Sequence, residues 1–429
     1  MTASPKILVG ASIPRSGHHF LQNLLKKYFA EKLYYCETYS VGDCCKETPC
    51  TRRGDFSLIY QKSHDRDMEV PKGLSDAVYI LQYRHPVPEA LSDRELDVQD
   101  EMGRICLNYR LSREHYAFWL ARKAVYYRRF HDKWLVERAP NGVYLDYEYL
   151  SRDPAGAVEQ IARAATGAAD RARIEAVVEQ GRSVRVSSGK SAATFKPRVV
   201  QDSPHFDADL LGAFEDYVIA HAPSFGYERM LQGRCKDHPF EGLILALDDT
   251  VPLPAGETDR LAAAIARAGE HPELMMRLAQ RELRGNKPAA AAERLTRVLE
   301  RHPYFTPAWR HLFAAHRALK TAPPVSLFSG NALLGMVPRP ELLVDAGKLL
   351  MDAGQVVNAA AALALATSFA PDKGKAHQLL AAAWMKLNRP ERALQHAEAA
   401  NRHEPSEGAG KLVATARERL ARRAGPVAA

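Results

Sequence analysis

Three polar clusters in the first hundred residues place chemically active side chains at close spacing. Lys62 and His64 stand two apart at the end of the apolar run Ser57-Leu-Ile-Tyr-Gln61. In an extended chain, residues two apart face the same side. At the carboxyl end of a parallel strand they face the crevice where open α/β sheets bind ligands; a solvated strand end is the plainer alternative. Upstream lies Pro14-Arg-Ser-Gly-His-His19, and downstream Arg84 is followed eight residues later by Ser92. An arginine offers a phosphate a planar donor fork, and a hydroxyl at a helix start adds a further bond. The chemistry these residues describe is the binding of an anion beside a titratable pair.

The surrounding pattern says which elements hold them. Ile7 to Val9 form a short β-rich apolar run of the kind found in a central parallel strand. After Pro14 and Gly17, apolar residues recur at Phe20, Leu21, Leu24, Leu25, Tyr28 and Phe29, which predicts a helix with one buried face. A strand, a glycine loop and a helix N-terminus converge free N–H groups and a positive dipole end on an anion. Ala77–Tyr83 reads as a strand stopped by Pro86, and Gly142–Tyr147 as another, leading into a helix from about Ala155. Tyr109–His131 is a basic, aromatic helix whose bulky residues are assigned to the core, and Leu210–His221 closes the region as a helix. A nucleoside triphosphate fits the loop poorly, because His18 and His19 stand where a kinase loop carries Lys-Ser/Thr. Gly189-Lys-Ser191 spells that triplet, but position 184 is Val where the motif needs Gly.

Pro14-Arg-Ser-Gly-His-His-Phe-Leu21 resembles the 5′-phosphosulfate loop of sulfotransferases that use 3′-phosphoadenosine 5′-phosphosulfate (PAPS), of the form Pro-Lys/Arg-Ser-Gly-Thr-Thr-Trp-Leu. The departure is His18-His19 in place of two threonines. Lys62-Ser-His64 is similar to the family's Lys-Thr-His, in which the histidine is the general base and the lysine steadies the transferring group. Arg84-His-Pro86 and Ser92 resemble its 3′-phosphate motif, with His85 for Asn and Pro88 for Asp. Tyr147 falls in a segment similar to the family's Tyr-Glu-Asp-Leu, near the adenine, and Phe20 stands where a tryptophan is frequent. Phe225-Gly-Tyr227 resembles the usual ending. The resemblance spans residues 6 to about 230. It implies a P-loop-like parallel sheet flanked by helices, with PAPS as co-substrate and no metal. The implied catalytic residues are His64, Lys62 and Arg15. The implied cofactor contacts are Pro14, Arg15, Ser16, Gly17, His18, His19 and Phe20 in the loop, Arg84 and Ser92, and Tyr147. Lys190 and Arg198, in a basic segment where the family keeps a mobile loop, complete the set. The acceptor is a hydroxyl, on a carbohydrate first and a protein tyrosine second. Two rivals are a catalytically inactive nucleotide-binding adaptor and a P-loop-like kinase, the latter requiring Mg²⁺ ligands.

Strand patterns vanish in the second half, and a repeat of 34 residues starts at Pro272, Thr306, Pro340 and Gly374. Ala279, Phe313, Gly347 and Ala381 at the eighth place, Ala291, Val325, Ala359 and Ala393 at the twentieth, and Pro303, Pro338, Pro371 and Pro405 near the end resemble the small-residue and proline positions of tetratricopeptide repeats. Pro323-Pro324 makes the second repeat degenerate, and Leu412–Arg423 is expected to cap the array. The predicted organisation is a sulfotransferase domain over 1–232, a linker over 233–257 and an all-α repeat domain over 258–429 that could hold a protein partner. The chain has 429 residues and a formal charge of +8, which suits an anionic ligand; the cations are spread too evenly for a nucleic-acid surface. No apolar run reaches the roughly 18 residues of a membrane span, and a cytoplasmic enzyme is expected. Of the six cysteines, Cys36, Cys44, Cys45 and Cys50 share one insert and are expected to be free thiols in a surface loop rather than a zinc knot or a disulfide. Cys106 and Cys235 read as isolated structural residues.

Overall fold

The computed structural model describes residues 5–37, 45, 47–52, 54–102, 109–183, 199–231, 240–251, 253 and 259–424. The chain divides into two compact units, Met1–Asp97 with Trp119–Phe240 and Val98–Phe118 with Glu241–Ala429.

In the first unit the order is β1 (Lys6–Ser12), α1 (His18–Phe29), β2 (Leu33–Glu37), β3 (Leu58–Ser63), β4 (Val78–Tyr83) and α2 (Pro86–Met102). There follow α3 (Arg113–His131), β5 (Gly142–Asp146), α4 (Tyr147–Arg152), α5 (Pro154–Thr166), α6 (Arg171–Ser183) and α7 (Ala208–His221). A unit boundary falls inside each of α2 and α3. The strands form one parallel sheet in the order β2-β3-β1-β4-β5. Strand β1 is central, and Leu8, Val9 and Ala11 are buried on both of its faces, as its apolar run requires. On one face Leu8, Tyr60, Val78 and Ile80 pack with Leu21, Leu24 and Leu25 of α1 and Val158 and Ile161 of α5. Helix α5 shows why such segments stop and start: Asp153 caps its N-terminus through Gly156 N–H, Pro154 opens it, and Gly167 ends it with φ 80°.

Strand β2 has no counterpart in the pattern read from the sequence, because Leu33-Tyr-Tyr-Cys-Glu37 runs directly into the cysteine-rich insert. The thiols need a second correction: Cys36 is buried on β2 and Cys50 is buried behind it, so these two are not surface-loop residues. Cys44, Cys106 and Cys235 lie outside the described residues.

The second unit is built from helices: α8 (Phe240–Leu247), α9 (Arg260–Ala268), α10 (Pro272–Arg284), α11 (Pro288–Arg301), α12 (Thr306–Leu319) and α13 (Gly330–Met336). It continues through α14 (Pro340–Asp352), α15 (Val356–Phe369), α16 (Gly374–Lys386), α17 (Pro390–His403) and α18 (Glu407–Ala424). Helices α10, α12, α14 and α16 begin at the four repeat starts read from the sequence. This is a tetratricopeptide-like array, paired helices at a fixed step. Its small residues sit where helices touch: a side chain added at Gly347 would collide with Leu363 in the paired helix. The second pair is incomplete, with a 3₁₀ turn at Val325–Leu327 and the short α13 after Pro323-Pro324. Helix α8 falls within the stretch expected to be a linker. The structure also assigns Val98–Phe118 to this unit, which chain order does not suggest. There Tyr109 lies in the core with its ring 4.3 Å from Phe305, and His271 Nε2 donates to the Glu114 carbonyl at 3.0 Å. Among the described residues, no helix is long and apolar enough to cross a membrane.

The buried Tyr109 hydroxyl finds no hydrogen-bond partner among the described residues, so its value lies in its ring. Tyr109→Ala is expected to cost the helical unit about 3–5 kcal/mol, whereas Tyr109→Phe is neutral or slightly stabilising. Urea unfolding of the two variants checks this, and equal losses would show that the hydroxyl matters.

Candidate functional site

The candidate site lies at the carboxyl edge of the sheet, in the segments following the three adjacent strands β3, β1 and β4. Register brings the parts together: Gly10 of β1 pairs with Lys62, Lys62 pairs with Glu37 of β2, and Ser12 pairs with Gln82 of β4. Lys62, Glu37 and His64 share the face on which α1 packs, because they fall at alternate positions of paired strands.

Lys62 is the centre of this group, with only 2 % of its side chain exposed. Its Nζ lies 3.2 Å from Glu37 Oε1 and 2.8 Å from His64 Nε2. His64 Nδ1 is 2.7 Å from the Ser12 carbonyl oxygen, so Nδ1 carries the proton and donates it, with Ser12 Oγ at 3.2 Å. The Nε2 lone pair is then the acceptor for the Lys62 ammonium. Burial, followed by the Lys62 charge, lowers the His64 pKa to about 4, which makes it a neutral imidazole. Burial also lowers Lys62 to about 8, although the Glu37 carboxylate opposes this. At Glu37 burial would raise the carboxyl, but Lys62 and the Tyr35 hydroxyl outweigh it and hold it below the usual range. Both values fall, which disfavours the charged form of Lys62 and favours that of Glu37, because Glu37 is 28 % exposed and keeps part of its hydration whereas Lys62 does not. The loop behind His64 is fixed independently. Tyr126 OH donates to the His64 carbonyl at 2.5 Å, and the buried Asp65 carboxylate takes Lys133 Nζ at 2.7 Å and Trp134 Nε1 at 2.8 Å.

The glycine loop crosses beside this group. Pro14 and Ser16 are buried, and Ser16 Oγ donates to the Ile13 carbonyl at 2.5 Å, so that hydroxyl proton is used to fold the loop. Gly17 caps α1 in the left-handed region at φ 84°, and an added Cβ would touch Leu150 and Tyr147 at 3.1–3.4 Å, so both the turn and the approach of Tyr147 require glycine. The first intrahelical bond runs from Leu21 N–H to the Gly17 carbonyl, which leaves the preceding N–H groups of α1 outside the helix ladder. His19 is exposed, and its ring lies tilted at 44° to that of His18 with centroids 3.9 Å apart. His18 is buried, stands edge-on to His64 at 5.0 Å, and its Nε2 has no hydrogen-bond partner among the described residues. Burial, then Lys62, pushes its pKa far below the ordinary histidine value.

On the other side of the loop the cationic residues gather. Arg15 Nε donates to Ser92 Oγ at 3.0 Å, Arg84 Nη1 donates to the Arg15 carbonyl at 3.3 Å, and the Arg84 guanidinium lies 4.0 Å from the Tyr147 ring centroid. Arg84 Nε is buried and without a hydrogen-bond partner among the described residues. His85 accepts Val87 N–H at Nδ1 and donates from Nε2 to the Glu228 carbonyl, so it ties the loop to the returning C-terminal segment. That segment is held again by Tyr227 OH on Asp146 at 2.5 Å. Phe20 is half-buried against the sheet core. Lys190 and Arg198 lie outside the described residues.

The structure thus brings His64, Lys62, His18 and His19 into one group and Arg15, Arg84, Ser92 and Tyr147 into another, joined through the loop 13–17. Sequence reasoning missed Glu37, Ser12 and Tyr126. The alternating Leu33-Tyr-Tyr-Cys-Glu37 was a strand signal that would have exposed Glu37; nothing local marks Ser12 or Tyr126, which act from remote elements. His18 Nε2 and Arg84 Nε, buried and unpartnered among the described residues, flank the loop that carries Arg15, a set of groups that an oxyanion could complete.

No family model matches the chain, and no curated protein matches it. Among solved structures it is similar to YrrB, a tetratricopeptide-repeat protein with an unusual peptide-binding site, at 17% identity and a TM-score of 0.29 over 40% of this chain and 95% of that one. A tetratricopeptide-repeat protein of Thermus thermophilus gives 20% identity and a TM-score of 0.24 over 38% of this chain and 88% of that one. The Cut9-Hcn1 hetero-tetramer of the APC/C gives 12% identity and 0.28 over 77% of this chain and 53% of that one.

The two neutral imidazoles make stability depend on pH. From the ordinary histidine value of 6.5 down to about 4, the unfolded chain binds protons that folded His64 refuses, so stability is full above 6.5 and falls as pH drops. His18 adds to the loss in the same sense. Each contributes a slope on the order of 1 kcal/mol per pH unit in that window. Chemical denaturation between about pH 7 and about pH 5 is expected to show a steeper loss for the wild type than for His18→Asn/His64→Gln. Parallel slopes would mean that these imidazoles carry protons in the folded chain.

Proposed function

We propose that the first unit is a PAPS-dependent sulfotransferase, moving the sulfuryl group to an acceptor hydroxyl. The observation that carries this reading is the meeting, at one sheet edge, of a neutral histidine buttressed through Nδ1 and a buried ammonium 2.8 Å from its Nε2. PAPS would supply an activated sulfuryl group on a phosphate leaving group, and an anion of that kind fits the donors of the loop.

The chain's own residues have separable parts. His64, with its proton fixed on Nδ1 by Ser12, has Nε2 as its only basic atom, and a base within reach of the acceptor hydroxyl takes the proton there. In the free protein that lone pair is held by Lys62. A sulfuryl oxygen competes for the same ammonium, so binding the donor releases the base, and Lys62 then offsets charge on the transferring group. Arg15 and the N–H groups at the start of α1 stabilise the leaving phosphate. His18, with its unpartnered Nε2, takes the place of a threonine hydroxyl. Arg84 and Ser92 hold the 3′-phosphate, and Tyr147, already packed on Arg84, lies at the adenine side. A carbohydrate hydroxyl is the first acceptor class; a tyrosine in a peptide held by the repeat unit is the second.

Adenosine 3′,5′-bisphosphate, added without Mg²⁺, is expected to raise the melting temperature of the full chain. At about 100 times its dissociation constant, linkage gives roughly 2.7 kcal/mol. Arg84→Ala is expected to remove most of that gain, since only hydroxyl and backbone contacts to the 3′-phosphate would remain. Greater stabilisation by ATP with Mg²⁺ would overturn the reading in favour of a kinase.

A further inference from the structure

Three cysteine sulfurs meet on the sheet face opposite the candidate site. Cys36 precedes Glu37 on β2, so its side chain points to the other face, in register with Gln61 of β3. The connection to β3 folds back there, and the sulfur atoms of Cys36, Cys45 and Cys50 all lie within 4.8 Å of one another. Cys36 and Cys50 are buried and Cys45 is half-buried, among Ile59, Tyr34 and Phe56.

Cys45 Sγ lies 3.6 Å from the Glu47 carbonyl, and the loop is held further by contacts of Gln61 that do not use the sulfurs. Gln61, 2 % exposed, accepts Cys50 N–H through Oε1 at 2.8 Å. Its Nε2 donates to the Glu47 carbonyl at 2.6 Å and reaches Thr48 Oγ1 at 3.3 Å. One buried side chain therefore sets the path of the loop that carries two of the three thiols, and the third comes from the edge strand itself. Thiolates bind zinc at about 2.3 Å in a tetrahedron, which separates the sulfurs by roughly 3.8 Å. Three sulfurs already inside 4.8 Å need only a small closure to reach that spacing. A disulfide would join two and leave the third sulfur outside the bond; a metal employs all three.

We propose that Cys36, Cys45 and Cys50 bind one zinc ion through their thiolates, with a fourth, exchangeable donor completing the tetrahedron. Binding releases the three thiol protons and fastens the loop to the edge strand. Strand β2 also carries Glu37, so the ion secures the strand that supplies the partner of Lys62. The site stands independently of the sulfotransferase reading.

Reduced full-length protein, stripped with a chelator, is titrated with zinc chloride against a colorimetric zinc indicator and with cobalt(II) chloride by absorption. The expected result is one equivalent per chain and a near-ultraviolet thiolate-to-cobalt band. Cys45→Ser and Cys50→Ser, each checked for unchanged far-ultraviolet circular dichroism, are expected to weaken zinc binding by roughly 100-fold or more. Undiminished zinc affinity in both variants would overturn the proposal, as would a disulfide joining two of the three in protein purified without oxygen. If both variants unfold, the wild-type cobalt spectrum decides, and absence of the band overturns it.

Discussion

An ammonium with only 2 % of its side chain exposed cannot sit at the edge of a parallel sheet without partners, and the site is arranged around supplying them to Lys62. Burying a lone charge costs several kcal/mol, and a pair repays that only with good geometry. Glu37 provides the opposite charge from the neighbouring strand and His64 Nε2 a lone pair from two residues on. Each has a consequence. The carboxylate keeps the lysine charged at neutral pH despite its burial; burial, reinforced by the lysine charge, keeps the imidazole neutral, and the Ser12 carbonyl fixes its tautomer. A neutral imidazole and a buried ammonium are thereby held side by side before any ligand arrives, in the protonation states that the proposed transfer would use.

The glycine loop solves a related problem for the opposite charge. Arg15, Arg84 and the start of α1 concentrate positive potential, while Ser16 and Gly17 spend their hydrogen bonds and conformational freedom on shaping the turn. Asp146 and Asp93 stand near the arginines, yet both carboxylates are engaged elsewhere, by Tyr227 and by Lys123. The arrangement leaves cationic donors available and anionic groups occupied, the balance an anion site needs.

Much of this was legible in the sequence because it is local. The strand–loop–helix at Lys6–Phe29, the strand carrying Lys62 and the strand ending before Arg84 follow from apolar runs and from Pro14, Gly17 and Pro86. The repeat was legible because a fixed step recurs, and the four helix starts fall where the step places them. What could not be read depends on residues distant in the chain. Strand β2 was hidden by the insert that follows it, so Glu37 and the meeting of Cys36 with Cys45 and Cys50 were hidden too. Tyr126 and Ser12 reach His64 from 62 and 52 residues away. Tyr109 joins a core built from residues beyond 270, and a helix-like pattern at 109–131 gives no hint that its first turns belong with the helical unit.

Sulfur-35 transfer tests most directly whether His64 acts as a base, as proposed, or only as a structural imidazole. A cell extract freed of endogenous donor is supplied with labelled PAPS and the purified protein, and labelled acceptor is counted. Wild-type protein is predicted to label an acceptor, while His64→Ala loses roughly 10²-fold or more of that transfer yet binds adenosine 3′,5′-bisphosphate within a few fold of wild type. Label transferred equally by the two proteins, or no transfer by a wild type that binds the bisphosphate, would contradict it, the second result pointing to a nucleotide-binding module without catalysis.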